Sequence, residues 1–301
     1  MDGLFVTDLD GTLLRPDRTV SPYTVQTLNA AIAAGVGITY ATARSQHSAG
    51  PLVAAIDFRL PAIVFNGALI VAPDGAVLHR RLLDREVARQ VLESARQAGA
   101  SPMVFGFAGG REVALHSTPV NPADRAWVEA RHRAGDRRLA QVERVDAPAE
   151  VVSVQCIARL PELEPLVAEL EARLPGRVAT CLIHDVYLPE YYQLQVCDPE
   201  ANKGAGVRWL ADSLGVAPGA VTVFGDNAND LPMFAAAGRR LAVANAEPDV
   251  RAAADAVLGS NGEDAVARYV ARVLRASAPA AAGSDGAAPP PCDGAAGPPS
   301  P

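Results

Sequence analysis

Leu4-Phe5-Val6-Thr7-Asp8-Leu9-Asp10-Gly11-Thr12 is an apolar run that delivers two carboxylates and a glycine at its carboxyl end. On an extended strand Asp8 and Asp10, two residues apart, point to the same side. Two such carboxylates repel unless they share a cation or a proton. The pair therefore invites a metal ion, or a nucleophile working beside an acid. A plain strand-to-turn signal is the competing reading, and the rest of the chain has to decide between them.

Downstream, Pro16-Asp17 between apolar residues reads as a tight hairpin or flap. Ser21-Pro22 supplies an N-cap with proline at the first helical position, opening a helix that runs to about Ala34 and is closed by Gly35. Val36 to Thr42 is a second strand, leading into Ala43-Arg44-Ser45. A helix with Leu52, Val53 and Ile56 follows, then a third strand, Ala62 to Phe65, ending at Asn66-Gly67. Strand, helix, strand, helix, strand is the grammar of a doubly wound parallel sheet, an α/β fold whose ligands sit at the carboxyl ends of the strands. Asp8, Thr42 and Asn66 all fall at such ends.

The pattern then changes. Leu69 to Leu78 reads as a hairpin around Pro73-Asp74-Gly75. Helices are expected at about Asp84–Ala98, Pro122–Arg133 and Pro161–Leu174, and strands at Met103–Phe107, Glu112–Leu115, Val151–Ala158, Arg177–Leu182 and Gln193–Val196. Strands joined by turns are antiparallel, so residues 82–192 read as an inserted α+β cap. The core is then discontinuous, 1–81 and 193–275. Parallel grammar resumes with Asn202-Lys203-Gly204, a helix through Val207, Leu210 and Leu214, and the strand Val221–Phe224. That strand ends in Gly225-Asp226-Asn227-Ala228-Asn229-Asp230. A short helix with Met233 and Phe234, a strand at Arg240–Ala244 and a helix at Glu263–Leu274 complete the core. Residues 276–301 are Ala, Pro, Gly and Ser with almost no large apolar residue, the composition of a disordered tail.

The chain of 301 residues carries a net charge of -7, so no nucleic-acid partner is expected. No apolar run is long enough for a membrane span, and no basic segment followed by an apolar core suggests a secretory signal. Cys156, Cys181, Cys197 and Cys292 show no metal or disulfide spacing and read as small buried hydrophobes in a reducing cytoplasm. Of 27 Lys and Arg residues, only Lys203 is a lysine. A compact ammonium at one place in an arginine-rich chain marks a site where a guanidinium will not fit. Neither a G-x-x-x-x-G-K-[ST] loop nor a G-x-G-x-x-G turn is present, which argues against an NTPase or a dinucleotide enzyme.

Asp8-Leu9-Asp10-Gly11-Thr12, Thr42, Lys203 and Gly225-Asp226-x-x-Asn229-Asp230 together resemble, in order, the four motifs of the haloacid-dehalogenase (HAD) superfamily. The insertion resembles the type IIB cap of the Cof-type subgroup. The resemblance covers about residues 1–275. It implies a Rossmann-like HAD core and a Mg²⁺-dependent phosphatase acting on a small phosphorylated metabolite, a sugar phosphate or a phosphorylated cofactor. By resemblance, Asp8 is the nucleophile that carries an aspartyl-phosphate. Asp10 protonates the leaving oxygen and later activates water. Thr42 hydrogen-bonds a phosphoryl oxygen, and Lys203 neutralises Asp8 and then the phosphoryl group. Asp8, Asp226 and the Asp10 backbone carbonyl would hold the metal, with Asn229 and Asp230 in support. The resemblance leaves two alternatives, a sugar phosphomutase with the same core site and a non-catalytic phosphometabolite-binding protein. The chain departs from the family pattern at Ala43, where glycine is usual after the motif-two threonine. It departs again at Ala265, read as structural.

Ala43, Arg44, Asn66 and Gly67 are candidate substrate contacts. Asn66-Gly67 also reads simply as a turn, and Arg44 as the partner of a surface acid. Arg131, Arg133, Arg137 and Arg138 with His132 read as a solvated helix end and loop. His184, Asp185, Glu190, Tyr191 and Tyr192 lie late in the cap, where specificity loops face the core; Tyr191-Tyr192 reads equally as strand packing.

Overall fold

The computed structural model describes residues 3–277. The chain opens with β1 (Leu4–Thr7), α1 (Pro22–Ala33), β2 (Gly37–Tyr40), α2 (Gln46–Val53) and β3 (Ala62–Val64), then β4 (Leu69–Val71) and β5 (Val77–Arg80). The insertion follows as α3 (Arg85–Gln97), β6 (Met103–Ala108), β7 (Arg111–His116), α4 (Pro122–Arg133), β8 (Leu139–Gln141), β9 (Glu150–Ala158), α5 (Leu160–Arg173), β10 (Ala179–His184) and β11 (Tyr192–Cys197). The chain then runs through α6 (Lys203–Leu214), β12 (Val221–Gly225), α7 (Leu231–Phe234), β13 (Arg239–Ala242), α8 (Pro248–Ala253), β14 (Ala256–Val257) and α9 (Ala265–Ser277).

Five parallel strands form the core sheet in the order β14-β13-β12-β1-β2. Chain order runs one way from β1 and the other way from β12, so the topological switch lies between those two strands. Both faces are covered, as a parallel sheet requires. Leu4, Val6, Val221 and Val223 pack under Val207 and Leu210 of α6. The alternating residues Phe5 and Phe224 turn to the opposite face, among Leu28 of α1 and Tyr269 of α9. β3 differs from its expected place as a full parallel strand. Its parallel pairing with the core sheet is the single bridge Ala41–Ile63, and it pairs antiparallel with β4 in a separate three-stranded sheet.

The cap is a six-stranded sheet in the order β10-β11-β9-β6-β7-β8. The expected boundary at 192/193 falls inside this sheet. β11 is hydrogen-bonded between β10 and β9, so the cap extends to Cys197. β8 was not anticipated and runs parallel to β7, so the cap is not wholly antiparallel. β14, also unanticipated, adds a short edge to the core. One cap face, with Val104, Val154, Cys156, Leu194 and Val196, packs on Val87, Val91, Leu163 and Leu166 of α3 and α5. The alternating residues Phe105, Gln155, Ile157, Gln193 and Gln195 turn toward the core domain, following the period of two of a strand.

Cys156 and Cys197 are buried, Cys181 is half-buried, and all three are free thiols; Cys292 and the tail beyond Ser277 lie outside the described residues. Among the described residues no helix is long and apolar enough to cross a membrane.

Asp124, in the first turn of α4, is buried, and neither carboxylate oxygen has a hydrogen-bond partner among the described residues. Burial pushes its carboxyl up to about 7, against the pull of the Val120 and Asn121 amides. The folded chain thus keeps a proton that the unfolded chain releases near 3.8, so stability is lost as pH rises from about 4 to about 7. Asp124→Asn is expected to raise the melting temperature at pH 8, by the equivalent of about 1–3 kcal/mol, with the gain shrinking toward pH 4. Thermal melts across that range test this; a gain independent of pH would contradict it.

Candidate active site

β1 and β12 end side by side. The β1–β12 ladder continues through the Asp8 N–H, which donates to the Phe224 carbonyl at 2.9 Å. This fixes Asp8 next to the Gly225-Asp226 turn. The chain then turns at Gly11 with φ of 79°. A Cβ on Gly11 would stand 2.2 Å from Asp226 Oδ2, so only glycine lets the first loop pass that carboxylate. Thr12 Oγ1 donates to Asp226 Oδ1 at 2.6 Å and orients it.

Lys203 opens α6, whose N-cap Asn202 accepts from the Ala205 N–H. Its side chain is fully buried, and Nζ donates to Asp8 Oδ1 at 2.5 Å and to Asp230 Oδ1 at 2.6 Å. Asp230 uses its other oxygen on the Asp226 and Asn227 amides at 2.8 and 3.0 Å. Asp230 is thus consumed as a bracket between Lys203 and the β12 loop. Burial would strip the Lys203 proton, but Asp230 and Asp8 outweigh it and hold the ammonium above its ordinary range.

Asp8, Asp226 and Asp230 each offer an oxygen, all within 4.8 Å of one another. One ammonium cannot neutralise three buried carboxylates. Burial foremost pushes Asp8 up to about 7 against Lys203, with Asp230 and Asp10 adding to the rise. Burial, then Asp8 and Asp230, pushes Asp226 well above the usual carboxylate range. Asp8 Oδ2 and Asp226 Oδ2 carry no hydrogen bond among the described residues. An all-oxygen, electron-rich cluster short of positive charge suits a hard divalent cation.

Asp10 lies in a different environment. Arg44 grips it with two bonds of 2.6 Å, and the hydroxyl of Tyr187 in the cap adds a third at 2.9 Å. Burial would raise its proton affinity, but Arg44 and then Tyr187 hold it below the ordinary range. In this arrangement Arg44 and Tyr187 favour the ionised form of Asp10 over the protonated one. Arg44 pairs neither with a surface acid nor with open solvent; its acid is Asp10. Thr42 is buried at the end of β2 and accepts from the Arg44 N–H at 3.1 Å.

Asn66 is more than a turn residue. It adopts a left-handed φ of 52°, accepts from Asn229 Nδ2 at 2.9 Å and donates to Gln195 Oε1 at 2.7 Å. The relay ties the β12 loop to the cap. Gly67, φ 92°, lets the chain pass the Asn202 carbonyl, where a Cβ would stand at 2.2 Å. Asp8, Asp10, Thr42, Ala43, Arg44 and Asn229 line one cavity of about 400 Å³ roofed by the cap. Asn66, Gly67, Lys203, Asp226 and Asp230 sit behind that wall.

In the arginine run His132, Arg133 and Arg137 are exposed as expected, but Arg131 and Arg138 are not. The Arg138 side chain is 10% exposed, is bonded to Asp136 and Glu112 and reaches Ser45 Oγ at 3.1 Å; Arg131 lines the cavity. His184 and Asp185 also line it, whereas Tyr192 stacks on His184 at 4.8 Å and Glu190 pairs with Arg159 at the surface. Tyr187, Gln155, Gln193, Gln195 and Trp127 were not anticipated. The glutamines had a sequence signal, polar amides alternating with apolar residues in Val152-Ser153-Val154-Gln155 and Gln193-Leu194-Gln195-Val196.

A family model described as haloacid dehalogenase-like hydrolase matches residues 5–270. The chain belongs to the haloacid dehalogenase-like hydrolase family. This HAD-type hydrolase is 29% identical over 272 residues to a protein of Serratia proteamaculans named HMP-PP phosphatase, spanning 89% of this chain and 94% of that protein. Its fold is shared with a haloacid dehalogenase-like hydrolase from Bacteroides thetaiotaomicron, at TM-score 0.75 and 24% identity over 91% of this chain and all of the other. It is shared too with a structure described as a HAD subclass IIB sugar phosphatase, at TM-score 0.71 and 20% identity, over 90% and 99% of the two chains. The HAD-type hydrolase thus shares its arrangement of core and cap with that structure.

Lys203→Met leaves three buried carboxylates without their counter-charge and is expected to cost roughly 3–5 kcal/mol. Asp8→Asn removes one of the mutually repelling groups and is expected to cost much less. Urea unfolding of both variants without added metal measures this, and equal losses would sink the electrostatic account.

Proposed function

We propose that this HAD-type phosphoric monoester hydrolase is a Mg²⁺-dependent phosphatase of small phosphorylated metabolites that works through an aspartyl-phosphate on Asp8. The observation that carries this reading is the juxtaposition of Asp8, Lys203 and Asp226 at the switch between β1 and β12, opening onto the capped cavity. Asp8 and Asp226, with the Asp10 backbone carbonyl, would hold Mg²⁺. When bound, the cation supplies positive charge against the phosphoryl oxygens.

The protein's own groups divide the work. Asp8 Oδ attacks phosphorus as the bond to the leaving oxygen breaks. Lys203 pulls Asp8 toward the ionised form before attack, and the bound cation would complete that compensation. Thr42 offers its hydroxyl to a phosphoryl oxygen. In the second half-reaction water attacks the aspartyl-phosphate and Asp10, whose Arg44 and Tyr187 contacts favour the carboxylate, takes the water proton. Supplying a proton to the leaving oxygen first requires Asp10 to slip the Arg44 clamp. The unpaired thiols of Cys156, Cys181 and Cys197 agree with a cytoplasmic setting.

Phosphate release from an aryl phosphate in Mg²⁺ is expected for the wild type and is abolished in Asp8→Asn. Asp10→Asn is expected to slow turnover by about 10²–10⁴ and, by impairing hydrolysis of the intermediate, to accumulate acid-stable phosphoenzyme on denaturing gels. An equally active Asp8→Asn would refute the mechanism. Saturating Mg²⁺ is expected to raise the melting temperature of the wild type, by about 2.7 kcal/mol at a hundredfold excess over Kd, and to do so less in Asp226→Asn.

A further inference from the structure

The cavity has a second pole. One face of α4 presents Ala123, Ala126, Trp127, Ala130 and Arg131 to it, the spacing of a single helical stripe. The alanines leave room. The two large residues lie one turn apart, with the Arg131 guanidinium 4.6 Å over the Trp127 ring. Trp127 in turn meets Phe105 at 5.9 Å, and Phe105 meets Phe65 at 5.3 Å. An aromatic wall thus climbs from the end of β3 into the cap and finishes at a cation.

That cation has no carboxylate partner. Arg44 is neutralised by Asp10, and Arg138 by Asp136 and Glu112. Among the described residues Arg131 makes no ion pair and no side-chain hydrogen bond. Burial, with Arg44 and Arg138 adding, pulls its proton affinity down to about 10. Asp136 and Asp10 pull the other way without outweighing burial, and neither forms an ion pair with it. Arg131 lines the same cavity as Asp8 and Asp10. Arg18, the other cavity arginine without an acid, is exposed and stacked on Tyr187 at 3.8 Å, so water already solvates it.

We propose that Trp127 and Arg131 form a leaving-group subsite for a planar ring that carries a negative charge of its own, so that the preferred substrate is a phosphate monoester with an anionic, ring-bearing leaving group rather than a neutral sugar phosphate. This rests on the phosphatase reading of the same site. The guanidinium recognises the second anion by charge-assisted hydrogen bonds, and the indole and Phe105 bury the ring. Two sources share this chemistry, a second phosphoryl group in a diphosphate and a carboxylate on the ring.

The test compares phenyl phosphate, carboxyphenyl phosphate and phenyl diphosphate as substrates of the full chain with Mg²⁺. In the wild type kcat/KM is expected to be higher for at least one of the two anionic leaving groups than for phenyl phosphate, and which one identifies the source. In Arg131→Gln that preference is expected to shrink roughly tenfold, about 1.4 kcal/mol, with Arg131→Lys retaining part of it. Trp127→Leu is expected to weaken discrimination of aryl over glycerol phosphate. Equal losses on charged and neutral aryl substrates, or an unchanged preference, would overturn the subsite. Binding of phenylphosphonate and carboxyphenylphosphonate, measured by calorimetry, gives the same comparison without turnover. A wild type that favours the carboxylate ligand in binding yet hydrolyses nothing keeps the subsite and overturns the phosphatase reading. One that hydrolyses phenyl phosphate with no anionic preference does the reverse.

Discussion

The ammonium of Lys203, sealed between Asp8 and Asp230, is the interaction on which the site depends. Three carboxylates converge where two strands end, and buried like charges do not stay together without compensation. A guanidinium could not occupy the same space, since Lys203 reaches its partners from the first turn of a helix pressed against the β12 loop. That approach is itself conditional on Gly204, where a Cβ would stand 2.1 Å from the Pro232 carbonyl. Compact charge, helix start and glycine are one device. The compensation is deliberately incomplete in charge, because a single ammonium against three carboxylates leaves Asp8 and Asp226 inclined to hold protons, and a divalent cation would displace those protons.

Topology makes this convergence possible. Successive strands leave β1 in one direction and β12 in the other, so their connections part and a crevice opens above the sheet at that line. The insertion roofs the crevice with the face of its sheet that carries glutamines instead of valines. The opposite face, packed on α3 and α5, is apolar and dominated by valine and leucine. The cap therefore has a hydrophobic back that holds it together and a polar front that meets the site, and the alternation of its strands separates the two.

Most of the core site was legible because its residues are local punctuation. Asp8, Thr42 and Asp226 end apolar strands, Lys203 opens a capped helix, and strand ends of one parallel sheet share one edge. The cap's contribution was not legible for a definite reason. Tyr187 meets Asp10 across 177 positions, and Gln195 meets Asn66 across 129, through a cap placement that no local pattern encodes. Arg131 and Arg138 misled for the complementary reason. A run of arginines at a helix end is ordinarily solvated, and only the face of α4 that turns inward distinguishes Arg131 from Arg133. The edge of the cap was drawn one strand early, because only the pairing of β11 with β9 and β10 shows to which sheet it belongs.

Asp10 shows how such long-range contacts alter chemistry and not merely shape. Burial on its own raises the proton affinity of this carboxyl; the Arg44 fork and the Tyr187 hydroxyl bring it below the ordinary range. The two steps of an aspartyl-phosphate reaction need both states, acid for the leaving group and base for water. Under the proposed mechanism a phosphoryl group at Asp8 would bring oxygens that compete for the same guanidinium. Loosening the fork leaves burial dominant and raises the proton affinity of Asp10; restoring it lowers that affinity again. Because Tyr187 belongs to the cap and Arg44 to the core, the closeness of the two domains and the protonation of Asp10 are coupled through one carboxylate.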